Sequence, residues 1–165
     1  NSWGVGTKLI TAYDCPALGG VYKLSVISGK SKLKVSNDPE KITNPGYKKI
    51  FRIYGKSNGM ALADLITLED ETINEAEPLT IFHPVHTWKK RIINDYYIRE
   101  LLVPVFIEGK CVYQSPTISE MQQHLKDEKD SLWPAFKRMV NPHVYHVDLS
   151  ENLWALKQQL LSEAE

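Results

Sequence analysis

The sequence predicts an α+β domain in which a β-rich sheet and hairpin region is followed by C-terminal helices. Three observations carry this reading. Apolar residues alternate with polar ones in short runs through the first two thirds of the chain, the period of half-buried strands. Gly, Pro and an Asn-Gly pair punctuate those runs at turn spacing. After Ser115 the apolar period lengthens to that of a helix, behind a capping box. Strands first and helices afterwards is an α+β order.

The elements follow in sequence. Gly4 and Gly6 make a short glycine loop beside Trp3 and Val5. Asp14, Pro16, Gly19 and Gly20 mark a turn-rich connection. Over 21–27, Tyr22, Leu24 and Val26 alternate with Val21, Lys23 and Ser25, predicting a half-buried strand. Leu33 and Val35 alternate with Lys32 and Lys34, predicting a second strand over 30–36, with Gly29 in the hairpin turn between the two. Asp38-Pro39-Glu40 interrupts the pattern, and Asn44-Pro45-Gly46 has the Pro-Gly chemistry of a type II turn.

The stretch 47–54 is rich in β-formers and predicts a third strand. Asn58-Gly59 is the strongest hairpin signal, because both residues tolerate positive φ, and 60–68 is its returning strand. The acidic stretch 69–77 reads as a loop. Further short strands are predicted over 79–82 and in parts of 85–93. A hairpin is predicted from 101–107 and 110–114 around Glu108-Gly109, with Pro104 confining its first strand to an edge or a bulge.

Thr117 and Glu120 form the capping box, and Ile118, Met121, Gln122, Leu125 and Leu132 follow at helical spacing. Pro134 kinks or restarts this helix, with Ser131 as a candidate new N-cap, and Asn141-Pro142 ends it. Asp148-Leu149-Ser150-Glu151 opens a last helix striped by Leu153, Trp154, Leu156, Leu160 and Leu161.

Composition narrows the functional classes. A chain of 165 residues is one domain by length, two at most. With 42% hydrophobic and 24% charged residues it is neither disordered, collagen-like nor a coiled coil. No apolar run approaches the ~20 residues of a membrane span. The two cysteines, Cys15 and Cys111, supply no disulfide framework and are read as reduced, in a cytoplasmic protein. The chain opens at Asn1-Ser2-Trp3 without a Met, so a processed chain or a fragment is expected, and fragment is the preferred reading.

Net charge is zero but unevenly spread. Residues 1–56 hold ten basic against three acidic side chains, and the remainder holds ten against seventeen. The basic third either faces an anionic partner or is a lysine-rich solvated face. A nucleic-acid partner is disfavoured by a pI near 7.1.

Few residues point to chemistry. Closely spaced glycines let a backbone approach an anion and offer it free N–H groups. Gly4-Val5-Gly6-Thr7 fits that description, with the Thr7 hydroxyl as an extra donor; an ordinary tight turn fits it too. The third glycine of a dinucleotide fingerprint and the Gly-Lys-Ser/Thr ending of a P-loop are absent. His83 and His86, like His143 and His146, have H-x-x-H spacing. Neither pair has a Cys or carboxylate at a suggestive distance, and Pro84 opposes a helix, so no metal site is assigned. Tyr96 and Tyr97 are expected in the core, and Lys89-Lys90-Arg91 on a solvated face.

The whole string resembles the C-terminal portion of the nicotinate phosphoribosyltransferases. Ser2-Trp3-Gly4-Val5-Gly6-Thr7-Lys8-Leu9 looks like the family's S-W-G-V-G-T-K-L segment. The block from Pro16 to Leu24 and the run from Lys34 to Lys49 resemble its next landmarks, and His83-Pro84-Val85-His86-Thr87 and Val147-Asp148-Leu149-Ser150 its later ones.

The resemblance implies a fragment of a parent that pairs an α/β barrel with an open-faced sheet domain. Residues 1–18 would end the barrel and carry its phosphate-binding loop, 19–114 would form the β-rich region, and 115–165 the helical C-terminal region. It implies an enzyme joining nicotinate to 5-phosphoribosyl 1-diphosphate (PRPP), with ATP as co-substrate, with magnesium, and no tightly bound cofactor. The products would be nicotinate mononucleotide and diphosphate, in NAD biosynthesis. A homodimer with active sites near its interface is implied, and neither a nucleic-acid nor a membrane partner.

By the same resemblance Gly4, Gly6 and Thr7 hold the 5-phosphate of PRPP, and Lys23 faces the diphosphate or the ATP phosphates of the partner subunit. The run from Lys34 to Lys49 either shapes that anionic pocket or stabilises the sheet. No catalytic residue is carried over, because the family's phosphorylated histidine and its nicotinate-gripping residues lie upstream. The alternative is a stand-alone, non-catalytic phosphate-binding or interaction module of the same ancestry.

Overall fold

The strongest turn chemistry in the chain nucleates the longest strand pair. In the computed structural model, which describes residues 2–11, 14, 15, 17, 19–86 and 88–164, β3 (Lys48–Gly55) and β4 (Ala61–Leu68) pair antiparallel across the Asn58-Gly59 turn. The Asn58 Oδ1 accepts the Met60 N–H at 2.9 Å and closes the turn. Alternation then sorts the side chains. Phe51, Ile53, Ala63 and Leu65 are buried in the core cluster, while Arg52 and Asp64 stand opposite each other in the register.

The sheet has six strands in the order β6-β5-β10-β4-β3-β7. Here β5 is Leu79–Phe82, β6 Lys90–Ile93, β7 Tyr96–Glu100 and β10 Val147–Leu149. Strand β10 runs parallel to β4 and antiparallel to β5, and so stitches two antiparallel groups into one sheet. Residues 148 and 149, expected to open the last helix, are therefore strand. The helix α3 (Glu151–Ser162) starts directly afterwards, with Ser150 as its N-cap. It buries Leu153 and Lys157, and Trp154 stacks on Phe82 with ring centroids 4.7 Å apart.

Two minor hairpins flank the sheet. The pairs β1 (Val26–Ile27) with β2 (Lys30–Ser31), and β8 (Phe106–Ile107) with β9 (Lys110–Cys111), each turn on two residues of positive φ. Ser28-Gly29 and Glu108-Gly109 supply these, the demand of a type I′ turn. Both hairpins are far shorter than the sequence pattern predicts. The alternation over 21–27 yields ladder pairing only at Val26 and Ile27, and Tyr22 is 98% exposed. A strand forms only where a partner accepts its hydrogen bonds.

Helix α2 (Ile118–Ser131) begins at the predicted capping box: Thr117 Oγ1 accepts the Glu120 N–H, and Glu120 Oε2 accepts the Thr117 N–H at 2.7 Å. Its apolar residues Ile118, Met121 and Leu125 are exposed, whereas Glu128 and Ser131 are half-buried. Ser131 does not cap a new helix. It closes α2, donating to the Glu128 carbonyl at 2.7 Å, and the single turn Pro134–Lys137 has Trp133 at its N-cap. Proline cannot continue the ladder, so the helix stops ahead of Pro134.

Candidate functional site

The glycine loop lies at the surface. Thr7–Ile10 forms one helical turn, α1, and the Leu9 N–H closes it by donating to the Gly6 carbonyl at 3.0 Å. Neither Gly4 nor Gly6 has positive φ, and a Cβ on either would meet no atom within 4 Å. Glycine here leaves open space around the backbone, as an approaching anion requires. The Thr7 side chain lies outside the described residues. Trp3, beside the loop, is 87% exposed.

Lys23 is exposed as well, in an unpaired stretch from residue 19 to residue 24. Among the described residues no hydrogen bond joins Gly4, Gly6 or Lys23 to one another or to the six-stranded sheet. The anchor lies two residues beyond Lys23. The Ser25 carbonyl accepts the Lys32 N–H at 2.8 Å and the Gly46 N–H at 3.0 Å.

The lysine-rich run beyond that anchor serves local structure at several points. The Lys48 ammonium donates to the carbonyls of Asn44 at 3.0 Å, Pro45 at 3.3 Å and Gly46. Burial pushes the pKa of Lys48 down, because the charged form loses hydration. Lys41 pairs with Asp38 at 2.9 Å across the turn Pro39–Lys41. The Lys48 contacts favour the sheet-stabilising role for that lysine, while the Lys41 pair is an exposed local one.

His83 is held in a structural role. His83 Nδ1 accepts the N–H groups of Val85 at 3.1 Å and His86 at 2.9 Å, which leaves the ring proton on Nε2. The His83 and His86 rings are tilted at 32° with centroids 4.8 Å apart. A metal would have to displace either the hydrogen bonds at Nδ1 or the proton at Nε2. Among the described residues no group of three or more His, Cys, Asp or Glu side chains is placed to hold a metal. Cys15 and Cys111 are exposed thiols.

A charged network on the sheet was not anticipated from the pattern of the chain. Arg52 is bidentate to Asp64, and its third nitrogen pairs with Glu128 of α2. Glu128 also accepts from Arg99 of β7 at 2.6 Å, and the Tyr145 hydroxyl donates to Asp64 at 3.1 Å. The available signal is an Arg between Phe51 and Ile53 in β3 and an Asp between Ala63 and Leu65 in β4. Every carboxylate here has a cationic partner, so the network fastens α2 to the sheet. Near it a cavity of about 320 Å³ is lined by Leu125, Leu132, Phe136, His143 and Tyr145.

Comparison with known proteins decides the family. The family model described as the nicotinate phosphoribosyltransferase C-terminal domain matches residues 47–157, the sheet with α2 and most of α3. The chain belongs to that family.

Nicotinate phosphoribosyltransferases similar to it include the Bacillus subtilis protein, 46% identical over 99% of this chain and 34% of that protein. The Caenorhabditis elegans protein is 39% identical over 93% of this chain and 28% of that protein. The crystal structure of human nicotinic acid phosphoribosyltransferase superposes with a TM-score of 0.76, at 29% identity, over 88% of this chain and 27% of that chain. The chain therefore spans about a third of the length of these nicotinate phosphoribosyltransferases. The Bacillus match extends beyond the family-model region to nearly the whole of this chain. Among the described residues no helix is long and apolar enough to cross a membrane.

Proposed function

We propose that this chain is the C-terminal part of a nicotinate phosphoribosyltransferase, and that it supplies phosphate-binding groups to a site completed by the rest of the protein. The observation that carries the reading is the 46% identity to the Bacillus subtilis enzyme over 99% of this chain. The full protein joins nicotinate to PRPP and releases nicotinate mononucleotide and diphosphate, while the co-substrate ATP, accompanied by magnesium, is hydrolysed to ADP and phosphate. Gly4, Gly6 and Thr7 hold the 5-phosphate through backbone and hydroxyl donors. Lys23 faces the diphosphate or the ATP phosphates across a homodimer interface, in a cytoplasmic enzyme.

The open space around Gly4 and Gly6 supports this role. So does the exposed ammonium of Lys23, free of the sheet. Charge developing on the departing diphosphate is lowered in energy by donors already in place. No residue of this chain is given the part of a nucleophile or base.

The test is product formation by the full-length protein with nicotinate or nicotinamide, PRPP, and ATP present or absent. ATP-stimulated nicotinate mononucleotide is expected, and the isolated 165-residue chain is expected to form none. No product from either base with the full-length protein would leave a non-catalytic module of the same ancestry.

A further inference from the structure

We infer that Lys157, in the middle of α3, is a positioning residue for Lys23 and acts through the Asn44-Pro45-Gly46 turn. The inference rests on the proposed reaction, which gives Lys23 its task.

Lys157 is 3% exposed. Lysine is almost never this buried without a charged partner. Among the described residues no carboxylate pairs with it. Its ammonium donates instead to two neutral acceptors, Asn44 Oδ1 at 2.9 Å and the Pro84 carbonyl at 3.0 Å. Burial lowers its pKa accordingly. Burying a charge on neutral acceptors costs stability that an apolar side chain of similar volume would not. What the lysine gains for the protein lies in what it grips.

It grips the turn that anchors the Lys23 segment. Asn44 is held by Lys157 through its side chain and by Lys48 through its carbonyl. Gly46 has φ +80°, and a Cβ there would come within 2.8 Å of Leu68 and 3.8 Å of Leu156. The turn is thus seated between the end of β4 and α3. Its Gly46 N–H binds the Ser25 carbonyl at 3.0 Å. Residues 19–24 are exposed, and Ser25 is the first residue beyond them to be half-buried. Lys23 lies two residues upstream, about 7 Å along an extended backbone. The turn sets where the Lys23 segment departs from the folded body, so a shift of the turn moves the origin of that segment, and displacements near 1 Å are enough to cost a phosphate contact its geometry.

The experiment is a double-mutant cycle in the full-length enzyme, read as KM for PRPP or ATP, whichever Lys23→Ala raises. Lys157→Met is expected to raise that KM about tenfold in the unsubstituted background and less than twofold in the Lys23→Ala background. Its melting temperature is expected to stay level or rise, since a buried charge has been removed. Asn44→Ala, which leaves the Lys157 ammonium the Pro84 carbonyl alone, runs through the same cycle should Lys157→Met fail to fold. Equal factors in both backgrounds, or an unchanged KM, would overturn the inference and leave the proposed reaction standing. An unsubstituted enzyme that forms no nucleotide product would overturn both.

Discussion

Arg52 of β3 grips Asp64 of β4 with two parallel hydrogen bonds, Nε to Oδ1 at 2.7 Å and Nη2 to Oδ2 at 3.0 Å. The two face each other in the antiparallel register, so the strand pairing itself preorganises the fork. The neighbouring carboxylate drives the Arg52 pKa still higher, and burial does the same for the Tyr145 phenol that bonds Asp64. Removing Asp64 leaves a mostly buried guanidinium with Glu128 as its remaining carboxylate. Asp64→Ala is expected to cost about 3 kcal/mol, in the range for breaking a buried pair. Urea denaturation midpoints would measure it, with Asp64→Asn losing less.

His83 gives a pH dependence of definite sign. Burial holds its pKa below the ordinary 6.5, against a partial upward pull from Asp148, while His86, Lys89 and His146 add to the depression. The unfolded chain therefore takes up a proton that the folded chain resists. Stability falls as pH drops from about 6.5 toward the folded value, as protonation of Nδ1 breaks its two amide hydrogen bonds. His83→Ala is expected to cost about 1–2 kcal/mol near pH 8 and less near pH 5. Thermal melts of the two proteins across that range would show the gap closing.

Ser150 ends β10 and caps α3 at once. Its Oγ accepts the Leu153 N–H at 3.2 Å and donates to Glu71 Oε1 at 2.6 Å. The same Glu71 oxygen accepts the Leu68 N–H, and its other oxygen accepts Asn152 Nδ2. Ser150→Ala is expected to cost about 1–2 kcal/mol. Hydrogen exchange should quicken first in the opening turn of α3; unchanged exchange there would remove the capping role.

Thr7→Ala in the full-length enzyme should weaken PRPP use more than nicotinate use. On the proposed reading this removes a hydroxyl donor to a charged phosphate, worth roughly 1.5–3 kcal/mol. Steady-state kinetics with each substrate varied in turn would show it as a raised KM for PRPP. Equal effects on both substrates would count against the loop assignment.

How far the fold was legible follows from where the signal resides. Strands β3 and β4 announce themselves, because an eight-residue run on each side of Asn58-Gly59 carries local evidence. The caps at Thr117 and Ser150 are equally local. Strand β10 is three residues long, too short for any period, and its pairing partners in β4 and β5 lie far earlier in the chain, Leu149 opposite Ile66 and Phe82. Tyr96 reads as core and is 1% exposed, but its strand β7 is defined by pairing with β3, which no local pattern contains. Lys157 lies in a helix that reads correctly as amphipathic, yet nothing in that stripe marks a lysine as buried. Gly4, Gly6, Thr7 and Lys23 stand on family likeness, and Gly4, Gly6 and Lys23 are exposed.

The position of β10 has a consequence for biosynthesis. Strands β3 and β4 leave the ribosome before β10 and can pair at once, as can β5 with β6. The two pairs cannot be joined until Val147–Leu149 has been made. Until then β4 and β5 each expose an open edge, the kind that recruits foreign strands. A nascent chain stalled after α2 is thus a holdase substrate, and a premature stop there yields an aggregation-prone protein in place of a shortened enzyme.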